Sequence, residues 1–145
     1  MSNRYKNVPV EMCEIIDGID IREPVTETVY RVTKSGRKDE ESFDNTYTEM
    51  LKGTTRNNWN LNEPGTYSTS VYLVPGPCEK MIKMLAKRHR DKYPSPGILT
   101  GNILLTDGRA QRTQERIADY DDPDHVDWWI FCGNEAAIAD RFEFM

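Results

Sequence analysis

Apolar and polar positions change their period several times along this chain, and each change marks a predicted element. Residues 28–34, TVYRVTK, are mostly β-branched or aromatic and predict a strand. Phe43, Tyr47, Met50 and Leu51 recur at helical spacing, which predicts one apolar helix face that Gly53 terminates. Residues 66–74, TYSTSVYLV, predict a second strand. The clearest helix follows: Pro77 suits a first turn, Cys78, Met81, Ile82, Leu85 and His89 share one stripe, and Pro94, Pro96 and Gly97 end it. Residues 98–113, ILTGNILLTDGRAQRT, predict a hairpin with Asp107-Gly108 at its turn. HVDWWIF (125–131) predicts another strand, NEAAIADR (134–141) a short helix, and FEF (142–144) an edge strand. The segment VEMCEIIDGIDI (10–21) is compatible with a short helix or with a strand pair broken at Gly18.

No repeat, linker or low-complexity tract divides the chain, so residues 1–145 read as one domain, with 1–27 as an N-terminal extension of unassigned structure. The order of elements predicts an α+β fold: a bent, mostly antiparallel sheet of about five to seven strands with two or three packed helices.

Composition narrows the class. The chain is 37% apolar and 30% charged, with mean hydropathy −0.72, and its apolar residues are clustered enough to form a core. No apolar run approaches the roughly 18 residues of a membrane span, and the opening MSNRYKNVPVEM lacks the apolar core of a secretory signal. The three cysteines, Cys13, Cys78 and Cys132, form no CxxC pair, which fits reduced thiols in a cytoplasm. A net charge of −5 opposes non-specific binding to nucleic acid. The basic run from Lys80 to Lys92 reads as a solvated helix face.

Metal chemistry finds little support in the pattern. His89, His125 and the cysteines have no ligand spacing, and the acidic run through Asp119, Asp121, Asp122, Asp124 and Asp127 lacks the glycine and terminal glutamate of a calcium loop. It reads as a solvated loop. The zinc-deaminase signature is missing around Cys78. A thiol nucleophile is a further candidate, because Cys78 falls at a predicted helix N-terminus and His125 opens a later strand. A thiol on a helix facing a histidine on a strand resembles papain-like hydrolases, and GNILLTDG followed by HVDWWIF is loosely similar to the Gly-Asp and His strands of small cell-wall peptidases. A thiol on an apolar stripe is, in the ordinary case, part of the core.

The richest constellation is Tyr30-Arg31 on the first strand, Ser68-Thr69-Ser70 with Tyr72 on the second, and His125 with Trp129 on the late one. A guanidinium makes bidentate contacts to phosphate, hydroxyls fix a ribose, and aromatic rings stack on a base. This order resembles ADP-ribosyltransferase-like domains, which carry an arginine or histidine on the first strand, a Ser-Thr-Ser-type strand and a late catalytic glutamate. It is also similar to a group of small bacterial proteins with Tyr-Arg, Ser-Val-Tyr and His-x-x-x-Trp motifs. Here these are Tyr30-Arg31, Ser70-Val71-Tyr72 and His125 to Trp129, and the match covers residues 28–145. The resemblance implies a cytoplasmic NAD-binding protein with possible ADP-ribosyl transfer or NAD glycohydrolysis. Arg31 would hold phosphate or ribose. Tyr30, Ser68, Thr69, Ser70, Tyr72 and Trp129 would shape the nucleotide site beside His125. The chain departs from the family in lacking a late Glu-x-Glu or Gln-x-Glu pair. Glu115, Glu135 and Glu143 stand in by location, with Glu143 taken as the catalytic carboxylate. The alternative from another class is a non-catalytic module that engages a basic protein through the acidic segment 115–127.

Overall fold

Strand order follows from which runs can be buried on both faces. In the computed structural model, which describes residues 4–145, the run His125–Ile130 is buried at every position. The opening Met-Ser-Asn, part of the stretch read as lacking a secretory core, lies outside the described residues. The strands are β1 (Thr28–Thr33), β2 (Thr69–Tyr72), β3 (Gly97–Asn102), β4 (Gly108–Arg112), β5 (His125–Ile130) and β6 (Glu143–Phe144). They form one six-stranded sheet in the order β4-β5-β2-β1-β3-β6, antiparallel throughout. The helices are α1 (Val10–Asp17), α2 (Thr46–Lys52), α3 (Gly76–Arg88), α4 (Thr113–Arg116) and α5 (Glu135–Arg141), with 3₁₀ turns at Glu40–Phe43 and Pro64–Tyr67. The α+β class holds, with more helices than the pattern predicts.

Side chains alternate across a strand, and β5 uses the alternation fully. Val126, Trp128 and Ile130 face a cluster completed by Val29, Val71, Leu99, Phe43, Ile138 and Phe142. The Phe142 ring stacks on Trp128 at 5.8 Å. It seats against Gly101, where a β-carbon would meet the ring at 2.6 Å. His125, Asp127 and Trp129 point the other way. On that face α3 packs Cys78 and Leu85 against Val32, with Tyr30 and Tyr72 beside them. Farther along, α1 packs Met12, Cys13 and Ile16 over Trp129 and Tyr67. The register sets Tyr72 opposite His125 and Ser70 opposite Asp127, so a polar step lies between two apolar clusters.

From residue 4 on, the N-terminal extension therefore contributes to the core, and the ambiguous segment 10–21 resolves as helix α1 over Val10–Asp17. Tyr5 is fully buried, donates from its hydroxyl to Asp17 (2.6 Å) and bridges Phe131.

Three sequence expectations are corrected. The predicted hairpin 98–113 does not exist: β3 and β4 lie three strands apart, with β5, β2 and β1 between them. Asp107 accepts from the Leu104 amide (3.0 Å) and from Arg141, turning the chain away from β3. Gly108 serves close packing, since a β-carbon there would stand 2.1 Å from the Trp129 carbonyl oxygen. The helix predicted through 43–51 is broken. Asp39 and Ser42 form a capping box on the first turn, and Asn45 caps α2 by accepting from the Thr48 amide (2.7 Å). Phe43 and Tyr47 consequently serve different clusters, while Leu51 is 67% exposed. The stripe of α3 stops short of His89, which is exposed just beyond the helix.

β1 and β2 register at a single pair, Tyr30 opposite Tyr72. Beyond that pair the Arg31 guanidinium supplies donors in place of a ladder. Its Nε donates to the Ser42 carbonyl (2.9 Å), Nη1 to Ser70 (2.9 Å) and Nη2 to Asp44 (3.0 Å). Glu49 lies 3.6 Å from Nη2 and balances the charge. Removing a buried partner strands the acceptors it served, at about 1–3 kcal/mol each. Arg31→Met should lower unfolding stability by about 3 kcal/mol in urea titration. A loss below about 0.5 kcal/mol, the size of an ordinary surface substitution, would show that the guanidinium is not a structural tie.

Candidate functional site

The polar step between the two clusters opens into a cavity of about 220 Å³. Its wall includes Ser70 and Tyr72 from β2, His125 and Asp127 from β5, and Thr113 and Arg116 from α4. Helical spacing of three residues puts Thr113 and Arg116 on one side of α4, facing β5. Trp59, Ile117 and Tyr120 complete the wall from the loops, and Glu49 and Glu63 add carboxylates.

Asp127 organises the floor. Its side chain is 2% exposed, and a buried carboxylate needs both a counter-charge and donors. Arg116 Nη2 donates to Oδ2 at 2.7 Å, Thr113 donates to the same oxygen at 3.1 Å, and Ser68 donates to Oδ1 at 2.9 Å. Arg116 also donates to Glu63 (2.8 Å) and Gln111 (2.9 Å), and its guanidinium sits 5.4 Å from the centre of the Trp129 ring. Burial works against the Arg116 charge, but Asp127 and Glu63 outweigh it and hold its pKa above the ordinary value.

His125 bridges this network to the cavity. Nδ1 lies 2.6 Å from the Thr113 hydroxyl, and Nε2 lies 3.0 Å from the Ser70 hydroxyl. The ring packs between Tyr72 (5.3 Å) and Tyr120 (5.1 Å). Burial drives its pKa below 6.5, and the attraction of Asp127 and Asp122 only partly offsets this. The balance favours the neutral imidazole over the charged form.

The residues singled out from sequence separate into two groups. Ser70, Tyr72, His125 and Arg31 meet at the cavity, although the Arg31 donors are spent on carbonyls and Glu49. The others are elsewhere. Tyr30 belongs to the α3 cluster. Ser68 is closed over and serves Asp127. Thr69 points to the opposite face and donates to the Phe43 carbonyl (2.8 Å). Trp129 is fully buried and donates from its indole to the Pro64 carbonyl (2.9 Å). Glu143 is exposed on the outer strand β6 and does not line the cavity. Glu115 accepts from the Arg22 and Glu23 amides, and Glu135 is buried near Lys6. Neither takes part in the site.

Asp127, Thr113 and Arg116 are not among the residues predicted for the site: Asp127 and Arg116 fall in the acidic segment 115–127, and Thr113 ends the predicted hairpin 98–113. The signal was present in HVDWW: a strand that puts His125 on one face puts Asp127 on the same face. Among the described residues no group of three or more His, Cys, Asp or Glu side chains could hold a metal ion, and no helix is long and apolar enough to cross a membrane.

Comparison of the chain with protein-family models, curated proteins and solved structures returns no match.

The thiol reading is corrected by burial. Cys78 has no exposed surface, lies in the apolar cluster with Val32 and Leu85, and has a pKa pushed up to about 12 by burial. The hydrogen-bond partners of His125 are hydroxyls, not this thiol. Iodoacetamide at neutral pH should alkylate exposed Cys132 and spare Cys78, as read by peptide mass mapping. Modification of Cys78 in the folded protein at a rate similar to Cys132 would restore the thiol as a candidate.

Proposed function

We propose that the cavity is a nucleotide site of the NAD type, and that ADP-ribosyl transfer or NAD glycohydrolysis is the activity such a site would carry. One observation carries this reading: the aromatic side chains of Trp59, Tyr72 and Tyr120 line the same cavity as a hydroxyl–imidazole pair, Ser70 and His125. Rings of this kind hold a planar base by stacking, and the polar pair suits ribose hydroxyls.

The residue roles differ from those the resemblance implies. Arg31 acts as a structural tie in this reading. Arg56, exposed and with its guanidinium 3.9 Å from the centre of the Trp59 ring, would meet a phosphate in this reading. The carboxylate needed to stabilise an oxocarbenium-like sugar would come from Glu49 or Glu63 on the wall, in place of Glu143. The alternative, a non-catalytic module for a basic partner, is favoured by a different feature: Asp119 and Asp121 are exposed on the loop that carries Tyr120.

Thermal unfolding with NAD separates the two. Ligand at ten times its Kd stabilises the native state by about 1.4 kcal/mol, which raises Tm by roughly 3–5 °C in a chain of this size. Tyr120→Ala should abolish that shift while leaving the ligand-free Tm within a few degrees. No shift at millimolar NAD would overturn the nucleotide reading and leave the binding module.

A further inference from the structure

Hydrogen-bond direction around His125 can be assigned outward from Asp127. A carboxylate paired with a guanidinium only accepts, so the Thr113 hydroxyl, 3.1 Å from Oδ2, spends its one proton there. Thr113 Oγ1 must then accept at its 2.6 Å contact with His125 Nδ1, which makes Nδ1 the protonated nitrogen. In the neutral ring Nε2 is left with a lone pair, and the Ser70 hydroxyl 3.0 Å away donates to it. The chain therefore runs one way: Ser70 to His125, His125 to Thr113, Thr113 to Asp127. The direct His125 Nδ1 to Asp127 Oδ1 separation of 3.9 Å is too long for a hydrogen bond, and Thr113 fills the interval. Ser70 is partly exposed on the cavity wall, while Thr113 and Asp127 behind it are buried.

We propose that Ser70 is a nucleophile with His125 as its base, and that the cavity transfers the acyl group of a small ester with an aromatic or apolar body. This goes beyond the nucleotide reading and does not rest on it. Ser70 Oγ bonds to the ester carbonyl carbon as its proton passes to Nε2, and the carbonyl π pair moves onto oxygen. When that pair returns, the bond to the leaving alkoxide breaks, and the alkoxide takes the proton from Nε2. Water then bonds to the acyl carbon as it gives a proton to the same nitrogen; on collapse the bond to Ser70 Oγ breaks, the acid leaves, and Oγ takes the proton back from Nε2. Thr113 and Asp127 are positioning residues: they fix the ring's tautomer and orientation without touching substrate. Tyr72, Tyr120 and Trp59 would contact the apolar body of the ester.

The test is covalent labelling of the full chain with an alkyl fluorophosphonate, followed by intact mass and peptide mapping. One adduct per chain is expected, on Ser70, and Ser70→Ala should remove it. His125→Gln should slow labelling by about 100-fold, the lower range for loss of a general base. Thr113→Val should slow it too, and Thr113→Ser should recover most of the rate. The labelling rate should climb with pH through the His125 titration, below 6.5, and level off above it, because only the neutral ring accepts the proton. Asp127, Asp122, Asp121 and Arg116 are the charged groups that bear on that titration, and the neighbouring Tyr72 and Tyr120 hydroxyls are themselves shifted upward by burial. Absence of labelling in the folded wild-type chain would overturn the proposal, and so would an adduct on another residue or labelling that persists in Ser70→Ala. Circular dichroism confirms that each variant is folded, and if His125→Gln is not, the wild-type adduct site and Ser70→Ala still decide. Failure of NAD to shift Tm leaves this result unaffected, so the two readings fail separately.

Discussion

A carboxylate closed off from water imposes directions on everything that touches it. Asp127 offers only acceptors, so each neighbour must turn a donor toward it: the Arg116 guanidinium, the Thr113 hydroxyl and the Ser68 hydroxyl. Each of those groups then has its remaining bonds constrained in turn. Thr113 has only lone pairs left for His125, and Arg116 is anchored against Glu63, Gln111 and the Trp129 ring. A half-satisfied network in this position would cost more than an apolar core. The polar step on β5 is thus self-consistent only when the whole set is in place.

The sheet explains why such a step can exist without opening the core. The face carrying Val126, Trp128 and Ile130 is wholly apolar and carries the main hydrophobic cluster. The opposite face is covered at one end by α3 and at the other by α1. Neither helix covers Ser70 and Asp127, and the cavity opens there. Two arginines, Arg31 buried and Arg116 half-buried, support this arrangement differently. Arg31 ties the point where β1 and β2 part by serving three backbone carbonyls, whereas Arg116 neutralises the floor. A guanidinium with five donors in a fixed fork suits both tasks, and a lysine would suit neither.

Much of the fold was legible because its signals are local. β1, β5, α3, α5 and β6 all fall where periodicity, proline or β-branched residues place them. The failure at 98–113 has a clear physical cause. Asp-Gly specifies a turn, but a turn does not choose which strands pair, and β3 found β1 while β4 found β5. The helix expected over 43–51 failed because its apolar residues are divided between two clusters on opposite faces of the sheet. At the site, Ser70, Tyr72 and His125 were recognisable as polar or aromatic residues on strands. Asp127 was hidden by its four acidic neighbours in sequence. Those neighbours lie on a loop, whereas Asp127 is already within β5, two residues past His125. Thr113 and Arg116 carried no sequence signal, because their roles come from the loop 117–124 folding α4 back against β5.

Through Thr113, Asp127 dictates the protonation pattern of His125. Long-range ¹H–¹⁵N correlation spectra of the imidazole at pH 7 read that pattern directly. A neutral ring protonated at Nδ1, with a pyridine-type Nε2, is the result predicted. A ring protonated at Nε2, or an imidazolium with both nitrogens protonated, would contradict it.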